Sequence, residues 1–245
     1  MSSRTRRTAA EMRNDLIEAG IRLLEEVGPE ALQARRVAAE VGASTMTVYT
    51  HFDGMPGLLW AIAGESFVRF GAALGSVPPT EDPVADFLAM GVAYRRYALD
   101  NPQRYRLMFG LTALRAESVL DVTAEPEDSD PATAAYDQLV TAVQRMIDAG
   151  RIRADPARQV AARIWGLIHG VVLLELTGNL GEQGQAVTAV LGPATHDLLV
   201  GMGTKREELE LSAERAWQAV ANEFGSGPAE SSYRPTEETS AATEQ

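Results

Sequence analysis

The stretch AAEVGASTMTVYTHFDGMPGLL, residues 38–59, decides the reading of this chain. It enters on a short apolar-spaced helix, about Ala34 to Glu40 with Val37, Ala38 and Val41 inward, and closes it at Gly42, a residue that tolerates left-handed geometry. Ser44 then has the side chain and the position to cap a third helix, from Thr45 to about Thr50. Two short helices joined by a tight turn, preceded by a longer helix and an arginine-rich arm, have the form of a DNA-reading helix-turn-helix. Thr45, Met46, Thr47, Tyr49, Thr50 and His51 give a solvent-facing strip, while Val48 and Phe52 supply the buried side. Such a strip donates to phosphate oxygens and touches base edges or thymine methyls without requiring net positive charge. The competing reading is a surface helix in a bundle, because αα-hairpins with a glycine turn are common.

Working outward, Leu16, Gly20, Leu23 and Val27 line one face of the first helix, which Gly28-Pro29 ends. A fourth helix starts near Pro56, keeps helical spacing through Leu59, Ile62, Ala63, Ser66, Phe67 and Phe70, and is expected to stop at Gly71. Pro78-Pro79 then marks a domain boundary. Asp82-Pro83, Asn101-Pro102, Asp130-Pro131 and Asp155-Pro156 each pair an N-cap with an N1 proline and so open four more helices. The helix at 156–177 is apolar nearly all round, which fits burial against several neighbours or a second copy. Two further helices are expected at about 185–202, interrupted by Gly192-Pro193, and at 205–224. No run alternates as a strand does, so the fold class is all-α. The expected layout is a helix-turn-helix domain with its basic arm over 1–55, a connecting helix over 56–76 and a ligand-binding and dimerisation domain over 77–224. A disordered tail over 225–245 and an acidic loop around 125–130 complete it.

The 245 residues carry a net charge of -12, which argues against a surface coated throughout in nucleic acid. Residues 1–60 hold seven arginines against eight acids, so nearly all the excess acid lies behind them. Arg4, Arg6 and Arg7 at the very front mark where an anionic partner should meet the chain. The absence of cysteine excludes thiolate metal sites and cysteine nucleophiles. The basic N-terminus has no apolar segment behind it, and no stretch approaches ~18 uninterrupted apolar residues, so a cytoplasmic protein away from membranes is expected. His51, His169 and His196 are far apart with no metal-ligand spacing, and carboxylate pairs such as Glu25-Glu26 diverge on their helices. No enzyme activity, metal or cofactor is expected.

The motif resembles the N-terminal domain of TetR-family transcriptional regulators, through Ala38, Gly42, Ser44, Tyr49, His51, Phe52 and Leu58. The resemblance covers residues 10–70. It implies that Tyr49 and His51 hold phosphates, that Thr45, Met46 and Thr50 lie nearest the bases, and that the protein works as a homodimer. Trp165, His169 and Gly170 look like the tryptophan-histidine-glycine signature of one TetR C-terminal subgroup. Gln33 stands where a Ser or Thr usually caps the second helix, and Met46 and Met55 replace a frequent glycine and lysine.

Trp165 and His169 sit at i, i+4 on the most apolar helix, so they either line a ligand cavity or belong to the core. Tyr94, Tyr105 and Phe109 carry the same ambiguity. Glu175, near the C-terminal end of that helix, either reaches solvent or meets an arginine of a second copy. A dimer interface is expected at Leu173, Leu198 and Leu199. The reading is a homodimeric repressor of palindromic operator DNA, released when a small apolar effector binds. The alternatives are a helix-turn-helix protein without an effector and a helical protein-interaction module.

Overall fold

Residues 7–112, 130–181 and 184–224 are described by the computed structural model, and among them only helices and their connections occur. They divide into two compact units, one drawn from Met1–Ser76 with Ala93–Thr141, the other from Val77–Val92 with Ala142–Gln245. Arg4, Arg6, the proposed tail and all but the last residue of the acidic loop lie outside the described residues.

The first unit begins with α1 (Ala9–Glu26), whose Thr8 and Glu11 close a reciprocal capping box. After a single 3-10 turn come α2 (Ala34–Glu40), α3 (Thr45–Phe52) and α4 (Met55–Leu74). Leu16, Leu24, Val37, Val48, Leu58 and Ile62 form their shared core at 0% exposure. α1 and α4 pack closely at Gly20, where a Cβ would meet the end of the Ile62 side chain at Cδ1. The second half of α5 (Pro83–Asp100), all of α6 (Pro102–Met108) and the first half of α7 (Pro131–Asp148) complete the unit. Leu107 of α6 is fully buried in the same core as α1 to α4.

The second unit takes the first half of α5 and the second half of α7, then α8 (Ala157–Leu176), α9 (Gly192–Gly201) and α10 (Arg206–Phe224). Ala85 and Ala89 of α5 pack on Ala216 and Val220 of α10. Asp82 caps α5 by accepting the Val84 and Ala85 amides at 3.1 and 3.2 Å, and Asp130 caps α7 in the same way at 2.7 and 3.1 Å.

Five expectations are corrected. Asn101 makes no cap bond to α6; its amide donates to Tyr97 O at 2.8 Å instead. Asp155 does not cap α8, because Arg153 and Arg163 hold its carboxylate at 3.2 and 3.1 Å. Ser44 occupies the N-cap of α3 without a side-chain bond to the backbone, its hydroxyl standing 3.4 Å from that of Thr47. Gly71 does not stop α4: it admits Gln138, whose amide donates to Gly71 O at 3.1 Å, and the helix runs on to Leu74. Gly192-Pro193 does not interrupt the ninth helix, because a π turn over Val187–Leu191 precedes them and leaves proline in the first turn of α9.

By length and composition alone α4 and α8 are apolar enough to cross a membrane, beyond what counting uninterrupted apolar residues indicated. Half of the relevant window of α4 is buried in the chain, as suits a core helix, against 28% for α8.

Candidate nucleic-acid interface

The helix-turn-helix is set by backbone choices that the sequence dictates. Gly42 adopts φ 66 in the turn after α2, and Ala43 N donates back to Ala38 O at 2.9 Å, closing that helix tightly enough for α3 to start three residues after the glycine. At the far end Asp53 takes the left-handed φ of 56 and Gly54 a φ of 103, so only two residues separate the end of α3 from the start of α4. Val48 at 0% and Phe52 at 7% exposure face the core. The opposite side of α3 exposes Met46 at 67% and Tyr49 at 52%, large apolar surfaces that a folded monomer gains nothing by showing to water.

The other predicted contacts fall on or beside this face. Thr50 is exposed, but its hydroxyl proton is committed to Met46 O at 2.9 Å, leaving its methyl and oxygen lone pairs outward. Thr45, Thr47 and His51 are half-buried, and Ser44 is exposed at the helix start. Tyr49 lies along Gly54, where an added Cβ would stand 3.4 Å from its ring. Arg13 of α1 sets its guanidinium 5.0 Å above the Phe52 ring, which keeps a cation near the end of α3. Arg7 bonds Val41 O and Asp15, both at 3.1 Å.

Sequence reasoning missed Arg35 and Arg36, both exposed in the first turn of α2. That turn contains no acid, and Gln33 caps it with no side-chain bond. Two cations at the positive end of a helix dipole are unfavourable without an anion from outside, and this was the signal to read.

The effector candidates gather as two sets. In the first unit the Tyr94 and Tyr105 hydroxyls share a 2.8 Å hydrogen bond, with Phe109 4.9 Å from Tyr105 and Phe70 5.0 Å from Tyr94 between ring centroids. Burial, and then the neighbouring Tyr94, push the Tyr105 phenol far above its ordinary range, and burial holds Tyr97 at about 12. In the second unit the Trp165 and His169 rings stack at 4.8 Å, both half-buried, and desolvation lowers His169 to about 4, so it is neutral at physiological pH. Of the proposed interface leucines, Leu199 is fully buried in its own chain, Leu173 and Leu198 are half-buried, and their neighbour Leu174 is 46% exposed. Among the described residues no group of His, Cys, Asp and Glu is placed to hold a metal ion.

The aromatic set meets the helix-turn-helix through α6. Glu25 of α1 accepts both the Arg104 backbone amide and its Nε at 3.0 Å, capping α6 from another helix while pairing with a guanidinium that is 14% exposed. One short helix therefore carries Tyr105 on one side and Leu107, inside the recognition core, on the other.

Comparison with known proteins agrees with this geometry. Residues 16–62 match the model of the bacterial regulatory proteins of the tetR family, and residues 87–198 match that of the tetracyclin repressor-like C-terminal domain, together well over half of the chain. An uncharacterised HTH-type transcriptional regulator of Mycobacterium tuberculosis is 25% identical over 179 residues, 72% of this chain and 75% of that protein. A structure of a Rhodococcus protein of unknown function superposes with a TM-score of 0.65 at 25% identity, covering 83% of this chain and all of the other. RolR in complex with resorcinol superposes at 0.61 with 17% identity, covering 85% and 94%. With an exposed recognition helix in the matched N-terminal segment and a helical C-terminal segment matched in turn, this chain belongs to the TetR family of transcriptional regulators.

Proposed function

We propose that the chain is a cytoplasmic homodimeric repressor that binds a palindromic operator through α3 and is released by a small, uncharged, largely apolar effector. The observation that carries this reading is the exposed strip of Met46, Tyr49 and Thr50 on a helix whose other side is locked into a core. Tyr49, His51, Arg35 and Arg36 hold phosphates and fix the register, while Thr45, Met46 and Thr50 touch base edges, Met46 through its apolar end at a thymine methyl. A helix of eight residues covers too few base pairs for a genomic site, so two copies related by a two-fold axis read two half-sites. The apolar surface that α8 leaves uncovered, at Leu174 and beside Leu173 and Leu198, is the surface that meets the second copy.

Selecting the binding site from random duplexes and footprinting it tests the reading. The selected site is expected to be two-fold symmetric with half-site centres roughly 34 Å apart or somewhat more. Tyr49→Ala should weaken every sequence by a similar factor, on the order of 10-fold, whereas Met46→Ala should change preference at one base position of each half-site. An asymmetric site overturns the dimer, and a uniform loss from Met46→Ala overturns its base contact.

Effector release is supported by two features. RolR, a relative in fold, is held with resorcinol, and the neutral His169 ring stacks on Trp165 to form an aromatic surface. A ligand releases DNA only through a difference in affinity for the two states. Phenols screened against Trp165 fluorescence in a Trp60→Phe, Trp217→Phe background should include a binder that operator DNA weakens, with the ordinary allosteric factor of roughly 5- to 150-fold. Equal affinity with and without operator would leave the effector-free repressor as the better reading.

A further inference from the structure

Arg7 is the first described residue of the basic arm, and one nitrogen of its guanidinium is already engaged. One nitrogen, Nη1, stands 3.1 Å from Val41 O and 3.1 Å from Asp15 Oδ2. Val41 closes α2 at φ -102 and ψ 5, so its carbonyl belongs to the set that a helix end leaves without an intrahelical donor. A cation is favoured there twice, as a hydrogen-bond donor and as the complement of the helix dipole. Thr8, the next residue, is fixed by its capping box with Glu11. Glu11 is exposed, and the Thr8 backbone amide, then its hydroxyl, hold the carboxyl below its ordinary value. The chain is therefore held at consecutive positions where it leaves α1, and the holding point is the turn of the helix-turn-helix itself.

We propose that Arg7 is a positioning residue, which caps α2 from the arm and pins the arm to the turn between α2 and α3, and is not one of the phosphate contacts. Asp15 neutralises the guanidinium locally, and Val41 O fixes where it sits. This departs from the reading of Arg7 as a DNA contact and assigns the phosphate charge to other arginines. Both side chains of the pair are about half exposed, at 47% and 44%, so the ion pair alone is weak, and the pin depends on one nitrogen meeting both oxygens.

The part of this inference that concerns DNA rests on the helix-turn-helix reading; the part that concerns α2 does not. The test measures Arg7→Gln and Asp15→Asn in the full chain. Gly42 N and Ala43 N donate to Ala39 O and Ala38 O at the end of α2, and their amide hydrogen exchange should quicken roughly three- to tenfold in both variants. Binding to a generic 30-base-pair duplex, followed against salt, should keep its slope in Arg7→Gln, because no phosphate contact is lost. A phosphate ligand would instead give up about 0.9 of that slope, and that result, or exchange unchanged in both variants, overturns the proposal. If the unaltered protein does not bind the duplex, the DNA reading fails while the exchange rates still decide the role of Arg7.

Discussion

Gly57→Ala should unfold the recognition half of the protein, although it adds a single methyl group. A Cβ at Gly57 would overlap the carbonyl oxygen of Phe52 and stand 2.9 Å from its carbonyl carbon. The obstacle is backbone, so no rotamer change removes it. Nor can the junction slide, because Asp53 at φ 56 and Gly54 at φ 103 fix the turn, while Phe52 on one side and Leu58 and Leu59 on the other are anchored in the core. The loss should be at least about 3 kcal/mol, a large share of the 5–15 kcal/mol that holds a typical domain. Gly20→Ala is the control. Its Cβ would overlap only Ile62 Cδ1, the far end of a flexible side chain, and alanine gains up to about 1 kcal/mol of helix propensity over glycine. Thermal unfolding followed by circular dichroism should show Gly20→Ala within about 1 kcal/mol of the unaltered protein, with Gly57→Ala far below both. Similar unfolding temperatures for the two variants would mean that α3 and α4 join less rigidly than their geometry indicates.

That contrast also shows what the amino-acid pattern could reveal. Gly28 and Gly42 end helices at φ 112 and 66, and both were legible because a glycine stop acts on its own neighbours. Gly57 and Gly71 look the same in sequence and do something else, making room for Phe52 O and for Gln138, the second a partner 67 residues away. The Asp-Pro and Asn-Pro signals divide for the same reason. Asp82 and Asp130 cap as local chemistry prefers, while Asp155 is claimed by two arginines and Asn101 turns back to Tyr97 O. At the interface the outward strip of α3 followed from helical spacing, but the fate of Arg7 depended on Val41, 34 residues on. The entry of Leu107 into the core of α1 to α4 had no local sign, since its segment reads as one more amphipathic turn. Spacing reports what a residue prefers, and only the fold reports which distant group outbids that preference.

Asp82→Ala should be the most damaging substitution in the second unit. The carboxylate is 8% exposed and accepts five hydrogen bonds, from the amides of Val84 and Ala85, from Arg151 at 3.2 Å, from Ser212 at 2.8 Å and from Arg215 at 2.7 Å. Removing it uncaps α5 and leaves Arg151, 17% exposed, without its buried counter-charge. Breaking a buried pair from one side costs about 3–5 kcal/mol, and a lost cap about 1 kcal/mol more. Glu208, which lies 3.3 Å from Arg151 but is 43% exposed, makes up only part of this. Asp82→Asn separates the two effects, because its amide oxygen can still cap the helix while the charge is gone. Acid should act through the same group. Burial opposes ionisation of Asp82, but the bonds from Ser212 and Arg215, the Ala85 amide and the charge of Arg151 outweigh it and hold the carboxyl below its ordinary value of 3.8. A carboxyl lowered on folding contributes stability that is complete above the unfolded value and is lost as pH falls through the folded one. Stability measured by denaturant titration should therefore fall steeply below about pH 4 in the unaltered protein and less steeply in Asp82→Asn. Parallel pH profiles would place the acid sensitivity in other carboxylates, and a loss under about 1 kcal/mol in Asp82→Ala would show that Glu208 and water replace the counter-charge of Arg151.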